Sequence, residues 1–399
     1  MPSERMLPTE EAYDLLAMVR DFADRELAPI VDQYERDSRY PDGLFTKMGE
    51  AGLLGLPYPE EFGGGGQPYE VYLQVLEELA SRWAAVAVAT SVHVLACSPM
   101  ANFGSDAQKE RWLPDMLEGK LIGGYSLSEP QAGSDAAALI CRADATPDGY
   151  LITGTKAWIT HGGRADFYSL FARTSPGSKG VSCFLAPGET TGLEFGLPEK
   201  KMGLHAIPTT AAYWDGAHLD ADRLIGTEGQ GLQIAFSALD SGRLGIAAVA
   251  TGLAQSALDL AVEYAQERMA FGKKIFDHEG LGFMLADMAA AVDSARAMYL
   301  DAARRRDAGR PYSRQASVAK LIATDAAMKV TTDAVQVLGG YGYTVDFPAE
   351  RYMREAKIMQ IFEGTNQIQR LVISRGLASS QSRATAKRAR DEANLASSL

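Results

Sequence analysis

Apolar positions recur at helical spacing along the first part of the chain. Leu15, Leu16, Val19, Phe22 and Ala23 share a face before Pro29. Val71, Val75, Leu76 and Leu79 repeat the pattern beyond the loop at Gly63–Gly66. Helices are predicted across residues 10–120. After Gly119 the period changes, and residues 121–225 carry short segments of strand composition, Phe167–Phe171 and Val181–Leu185 among them. Ile140 to Ile159 reads as a hairpin turning at Thr146-Pro147-Asp148-Gly149. No helices separate these strands, so an antiparallel β region is predicted rather than a parallel one. From Gly231 the helical period returns. Leu281, Leu285, Met288, Val292 and Tyr299 form one stripe, and Val318, Ile322, Val330 and Val335 a second, closed by Gly339-Gly340. Long helices with short connections predict a bundle.

The order is therefore α, β, α: a helical unit over residues 1–121, a β unit over 122–230, a helical bundle over 231–378 and a polar tail over 379–399. The tail carries Arg383, Lys387, Arg388 and Arg390 and is expected to fray or touch a partner. The 399 residues suggest two or three domains at roughly 100–200 residues each. With 46% apolar and 23% charged residues, the chain has a globular composition.

A formal charge of −12 argues against a nucleic-acid partner, because phosphate backbones need clustered Lys and Arg. Cys97, Cys141 and Cys183 form no CxxC pair and the five histidines no HExxH, so no metal site is expected. Glu4, Glu10, Glu11 and Asp14 fit neither a secretory signal nor a transit peptide. Apolar runs are broken by Gly, Ser or charge well short of the ~18 residues of a membrane span. A cytoplasmic location is expected. No strand-GxGxxG-helix unit or Walker loop occurs, so no Rossmann crevice is predicted.

Three segments carry candidate chemistry. Tyr125-Ser-Leu-Ser-Glu-Pro-Gln-Ala-Gly-Ser-Asp135 offers the hydroxyls of Ser128 and Ser134 and an open backbone at Gly133. By itself it could equally be an ordinary Ser/Gly loop. Lys156-Ala-Trp-Ile-Thr-His-Gly-Gly163 could lay the Trp158 indole against an aromatic cofactor while Thr160 bonds its edge, although a Trp in a strand is more often core. In Ile361-Phe-Glu-Gly-Thr365, Glu363 lies among apolar neighbours that would raise its pKa and make it a base near neutral pH, and Gly364 would admit a ligand to the backbone. For a lone Glu, a solvated helix end would be the default.

Together these segments resemble the acyl-CoA dehydrogenase family. The motifs Y-S-L-S-E-P-x-A-G-S-D, W-I-T-x-G-G, R-x-x-F-G-K at Arg268–Lys273, Q-V-L-G-G-Y-G-Y at Gln336–Tyr343 and I-F-E-G-T-N-Q-I-Q-R occur in family order, and the likeness spans about residues 10–376. The resemblance implies an N-terminal helical domain, a middle antiparallel β-barrel-like domain and a C-terminal four-helix bundle, assembled as a homotetramer around FAD. It implies that Tyr125, Leu127, Ser128, Gly133 and Ser134 contact flavin and thioester, with Ser134 beside substrate. Trp158, Ile159 and Thr160 would hold the isoalloxazine. Arg268, Phe271, Gln336, Gly339 and Gly340 would reach the FAD of a neighbouring subunit, and Thr365 and Gln367 the adenosine half. Asp240 and Arg243, at i, i+3 on one helix face, resemble the family's substrate-binding pair, with Gly364 beside substrate.

The implied reaction converts an acyl-CoA to its trans-2-enoyl-CoA, Glu363 taking the α-proton and flavin N5 the β-hydride. Electrons would pass to an electron-transfer flavoprotein. Some branches of the family place the base just before the arginine matching Arg243, but here that residue is Gly242. Ser241-Gly242-Arg243 resembles the short-chain and short-branched branches. Glu279 stands where relatives commonly carry Gln beside FAD. Three alternatives stay open: an acyl-CoA oxidase, which usually runs longer; a non-dehydrogenating flavin-binding protein, including DNA-protective relatives; and a flavin monooxygenase of similar fold.

Overall fold

The computed structural model describes residues 5–378, so the tail at 379–399 lies outside the described residues. Six helices open the chain: α1 (Glu10–Phe22), α2 (Val31–Asp37), α3 (Leu44–Glu50), α4 (Tyr69–Ala80), α5 (Ala84–Phe103) and α6 (Asp106–Leu117). Their starts follow from local chemistry. The Thr9 side chain accepts from Ala12 N at the head of α1, and Ser105 and Gln108 close a reciprocal capping box on α6. Helix α5 is apolar on every face and packs inside, beside the fully buried Trp83, whose Nε1 donates to Glu35 Oε1 at 2.8 Å.

Eight strands follow: β1 (Gly123–Ser126), β2 (Arg142–Ala145), β3 (Gly149–Thr160), β4 (Phe167–Arg173), β5 (Val181–Pro187), β6 (Leu193–Phe195), β7 (Thr209–Asp220) and β8 (Leu224–Ile225). They form one sheet in the order β6-β7-β3-β2-β4-β5-β8, with β1 joined to β4. The hairpin read from the sequence is β2–β3, closed by Thr146 N to Gly149 O at 2.8 Å. Pairing is antiparallel throughout except at β4, where β1 and the start of β2 run parallel to it. The chain enters the sheet from α6 along β1 and crosses through residues 127–141 before β2, which sets both strands in the direction of β4.

Four long helices complete the described chain: α7 (Gly231–Glu267), α8 (Glu279–Asp307), α9 (Ser313–Leu338) and α10 (Ala349–Met359), with a final helical segment at 366–378. A short hairpin, β9 (Met269–Ala270) and β10 (Lys273–Lys274), links α7 to α8. On α8 the predicted stripe is the buried face from Leu285 on: Leu285, Met288, Val292 and Tyr299 are buried, and Leu281 in the first turn is partly buried. On α9 only Val330 of the predicted stripe is fully buried. Val318, Ile322 and Val335 are partly buried, and most of the inner face is built from Ala316, Ala319, Ala323, Ala327 and Ala334, with Lys320 and Thr324 among them. Alanines let α9 approach the Gly- and Ala-rich α7 closely, so the bulkier residues fall to the flanks.

Two helices, α5 and α7, are long and apolar enough to cross a membrane, contrary to the reading that such runs are broken early. Their most apolar windows are 94% and 72% buried inside the fold, which is where a core helix keeps them. One apolar cluster joins the N-terminal helices to the bundle, and a second, smaller one fills the sheet.

Candidate active site

The turn after α10 brings Glu363 into the interior. Glu363 has φ 52° and Gly364 φ 85°, two successive left-handed residues, which a non-glycine adopts only where its surroundings hold it. Gln369 Nε2 donates to Glu363 O (3.3 Å) and to Gly364 O (2.8 Å), and Lys320 Nζ donates to Gly364 O (2.9 Å). The residue as a whole is half-buried, but its Oε2 is closed off from solvent and has no hydrogen-bond partner. Burial pushes the carboxyl up to about 7, against the opposing pull of Arg243 and Lys320. Across from it lies Gly242 of α7, where an added Cβ would stand 3.0 Å from Glu363 Oε2.

Beside Gly242, Arg243 is buried and pairs with Asp240 (Nη1–Oδ1, 2.6 Å), whose carboxylate also accepts from Ser313 Oγ at 2.9 Å. Burial raises the Asp240 pKa despite Arg243. Arg243 Nε is buried without a partner. A narrow cavity of about 20 Å³ runs from Gly242 between α4, α5 and α7, lined by Tyr58, Tyr69, Ser91, Leu95, Ser98 and Ser241 among others. Tyr69 Oη donates to Ser241 O at 2.9 Å, closing one side.

The sheet supplies the opposite wall. Tyr125 in β1 donates to Ala235 O of α7 at 3.3 Å, and burial pushes its phenol well above the ordinary value. The neighbouring Ser126 hydroxyl is buried without a partner. Leu127 is buried, Ser128 partly buried, and Gly133 and Ser134 exposed. A bulge in β3 sets three residue steps, from Lys156 to Ile159, against two on β7, and leaves Trp158 at φ 64° and 61% exposed. The bulge turns this indole out of the sheet, while the Ile159 side chain points into the β core and Thr160 stays partly buried.

Arg268, Gln336, Gly339 and Gly340 sit elsewhere. Arg268 caps the far end of α7 and, with Gly339, Gly340, Tyr264 and Tyr341, borders an open cavity of about 520 Å³. Gly242 and Arg268 are 26 positions apart along α7, roughly 39 Å at 1.5 Å per residue. Gln336 is exposed, and Phe271 projects beside this region at 96% exposure and φ 52°. Thr365 Oγ1 accepts from Ile368 N at 3.2 Å, and Gln367 is exposed. Glu279 is exposed at the first position of α8, where the helix N-terminus favours a carboxylate.

Sequence reasoning passed over three charged residues that shape the site. Glu129 and Lys156 form a buried ion pair (2.8 Å) between the two flavin-side motifs. Glu129 also accepts from the N–H groups of Ile140 and Cys141, and Lys156 donates to Leu127 O. Burial alone would raise the Glu129 pKa, but Lys156 and these N–H groups hold it below the usual range. Lys320 lies behind Glu363. Its signal was present in the sequence: it occupies the row of Ala316, Ala323 and Ala327, the inward face of α9.

A left-handed carboxylate with one closed-off oxygen facing a clearing in a helix, a polar β wall with an outward indole, and a narrow cavity beside them make up the candidate active site. Sequence profiles agree: that of the acyl-CoA dehydrogenase N-terminal domain matches residues 9–120, the middle domain 124–217 and the C-terminal domain 229–378. The chain belongs to the acyl-CoA dehydrogenase family. It is 41% identical over 369 residues to a short-chain specific acyl-CoA dehydrogenase of Clostridium acetobutylicum, covering 92% of this chain and 97% of that one. Its fold matches butyryl-CoA dehydrogenase from Megasphaera elsdenii with a TM-score of 0.91 at 38% identity, over 94% and 100% of the two chains. A chain solved in work on the electron transferring flavoprotein of Acidaminococcus fermentans matches with a TM-score of 0.92 at 42% identity, over 94% and 99%.

The protein is thus an FAD-dependent oxidoreductase of acyl-CoA. The residues present fit FAD. Trp158 is held outward, the Ser126 hydroxyl and Glu363 Oε2 are buried without partners, and Arg268 borders an open cavity.

Proposed function

We propose that the protein dehydrogenates a short-chain acyl-CoA to the trans-2-enoyl-CoA, with Glu363 as the base that takes the α-proton. The observation that carries this reading is the Glu363 carboxylate itself: closed off and unpartnered at Oε2, raised to about 7 and facing the cleared space at Gly242. A thioester α-proton is too weakly acidic for a carboxylate unless the developing enolate is stabilised, by several kcal/mol. The backbone N–H of Glu363 is one donor for the thioester carbonyl. Arg243 and Asp240 hold the substrate on α7, and Ser134 and Gly364 flank it. Tyr125, Leu127, Ser128 and Gly133 line the flavin side, and Trp158, Thr160 and the backbone of Ile159 contact the ring system. FAD, when bound, supplies the two-electron acceptor for the β-hydrogen.

The cavity beyond Gly242 is small and closed by Tyr58 and Tyr69, which supports a short acyl group. The distance from Gly242 to Arg268 supports assembly of each FAD site from two copies of the chain. One copy gives Glu363, Thr365 and Gln367; the other gives Arg268, Phe271, Gln336, Gly339 and Gly340. Exposed Met269, Phe271, Phe283, Tyr343 and Val345 in the same part of the bundle suit burial in a homotetramer. An electron-transfer flavoprotein is the acceptor of the electrons. The division at 121/122 and 230/231 follows the end of α6 and the first residue of α7.

Anaerobic titration of the purified flavoprotein with saturated acyl-CoAs of increasing length tests this reading. Rapid bleaching of the visible flavin band by short chains is expected, with weak bleaching by long ones. A flavin that no saturated acyl-CoA bleaches would overturn it.

A further inference from the structure

One buried cation in the site has no part in the chemistry above. Lys320, on the inner face of α9, is 0% exposed, and a buried ammonium is unfavourable unless its charge and donors are compensated. Its bonded partners are uncharged oxygens: Gly364 O at 2.9 Å and Asn366 Oδ1 at 2.9 Å. Both belong to the turn that carries Glu363. Asn366 is fixed in turn, donating from Nδ2 to Thr324 Oγ1 (2.9 Å) and Asp325 Oδ1 (2.7 Å). Gln369 Nε2 joins Lys320 on the same Gly364 oxygen at 2.8 Å. Two donors on one carbonyl fix the plane of the 364–365 peptide, and with it the left-handed pair Glu363-Gly364 that aims the carboxylate.

The charged groups facing Lys320 are Glu363 across the turn, Asp325 on its own helix and Arg243 on α7. A neutral donor would suffice to clip the turn. An ammonium adds a positive field on the inner side of a carboxylate that burial otherwise keeps protonated.

We propose that Lys320 is a positioning residue for Glu363, fixing the 363–366 turn through Gly364 O and Asn366 while its charge keeps the base ionisable inside a desolvated site. This rests on Glu363 being the base. Burial pulls the Lys320 ammonium down to about 7, and the Glu363 carboxylate pulls it back toward the charged form. Removing the cation leaves burial opposed by Arg243 alone, and the Glu363 pKa moves up.

The test is the pH profile of kcat/KM for Lys320→Met, which lacks charge and donor, and Lys320→Gln, which keeps a donor without charge. Lys320→Met should lower kcat at pH 7 by about tenfold or more and move the acid limb upward by roughly one pH unit. Lys320→Gln should recover part of kcat at high pH while its acid limb stays displaced. Acid limbs at the wild-type position in flavin-loaded variants would overturn the proposal, whatever their melting temperatures. Should Lys320→Met fail to fold with FAD, Lys320→Gln alone decides. Glu363→Gln is assayed alongside. If it retains turnover, the base itself is misassigned. If it is inactive while the Lys320 variants titrate like wild type, only the role of Lys320 falls.

Discussion

Gly242 and Glu363, 121 positions apart in the chain, compete for the same space: a Cβ on Gly242 would stand 3.0 Å from Glu363 Oε2 and 3.2 Å from Leu95 Cδ1. The carboxylate can occupy its place because α7 has no side chain there. Gly242→Ala should therefore displace the carboxylate by a few tenths of an ångström or more. The expected result is a fall in kcat of up to about tenfold with FAD content unchanged, because a misplacement of about 1 Å can cost roughly a hundredfold and this one is smaller. Steady-state kinetics beside a flavin-to-protein absorbance ratio check it.

Glu363→Gln should keep FAD and acyl-CoA binding and lower turnover by several orders of magnitude. It should also stabilise the fold at alkaline pH. The carboxyl rises from 4.5 to about 7 on folding, so both states hold the proton below about 4.5 and no penalty exists there. Between about 4.5 and 7 only the unfolded chain ionises, so stability falls as pH rises through that window and levels off above it. The Gln variant escapes that loss, of order 1–3 kcal/mol. Melting temperatures should diverge at pH 8 and converge below about pH 4.5. A variant no more stable than wild type at pH 8 would count against a raised pKa.

The Glu129–Lys156 pair ties the 127–141 crossover to strand β3 at 0–1% side-chain exposure. Lys156→Met strands a buried carboxylate and should cost about 3–5 kcal/mol, read as a lower denaturation midpoint and weaker FAD retention. Adding Glu129→Gln to that variant should return much of the loss. A double variant no better than the single one would mean that the charges are not coupled.

Arg268→Ala should lower FAD occupancy and shift the protein toward smaller species in sedimentation, since the arginine is proposed to serve a neighbouring copy's cofactor. Full occupancy with an unchanged assembly would sink that placement.

Much of the fold was legible because it repeats locally. The stripe Leu285, Met288, Val292, Tyr299 gave α8 and its buried face, and the turn at Thr146–Gly149 gave the β2–β3 hairpin. The α9 face was misjudged for a physical reason. Periodicity weighs large apolar residues such as Val318 and Ile322, whereas the closest helix contacts are made by the smallest ones, Ala319, Ala323 and Ala327. The same bias hid Lys320. The parallel entry of β1 beside β4 depends on a crossover that no short window reveals.

The sequence by itself determined the α, β, α order and, through five ordered motifs, the family and its candidate base, because residue type and spacing are local properties. Only the tertiary structure decided that Gly242 clears the space for Glu363, that Lys320 stands behind it, and that Arg268 lies at the opposite end of α7. Those relations depend on where distant segments meet, and burial there gives Glu363 a pKa that its chain neighbours alone could not set.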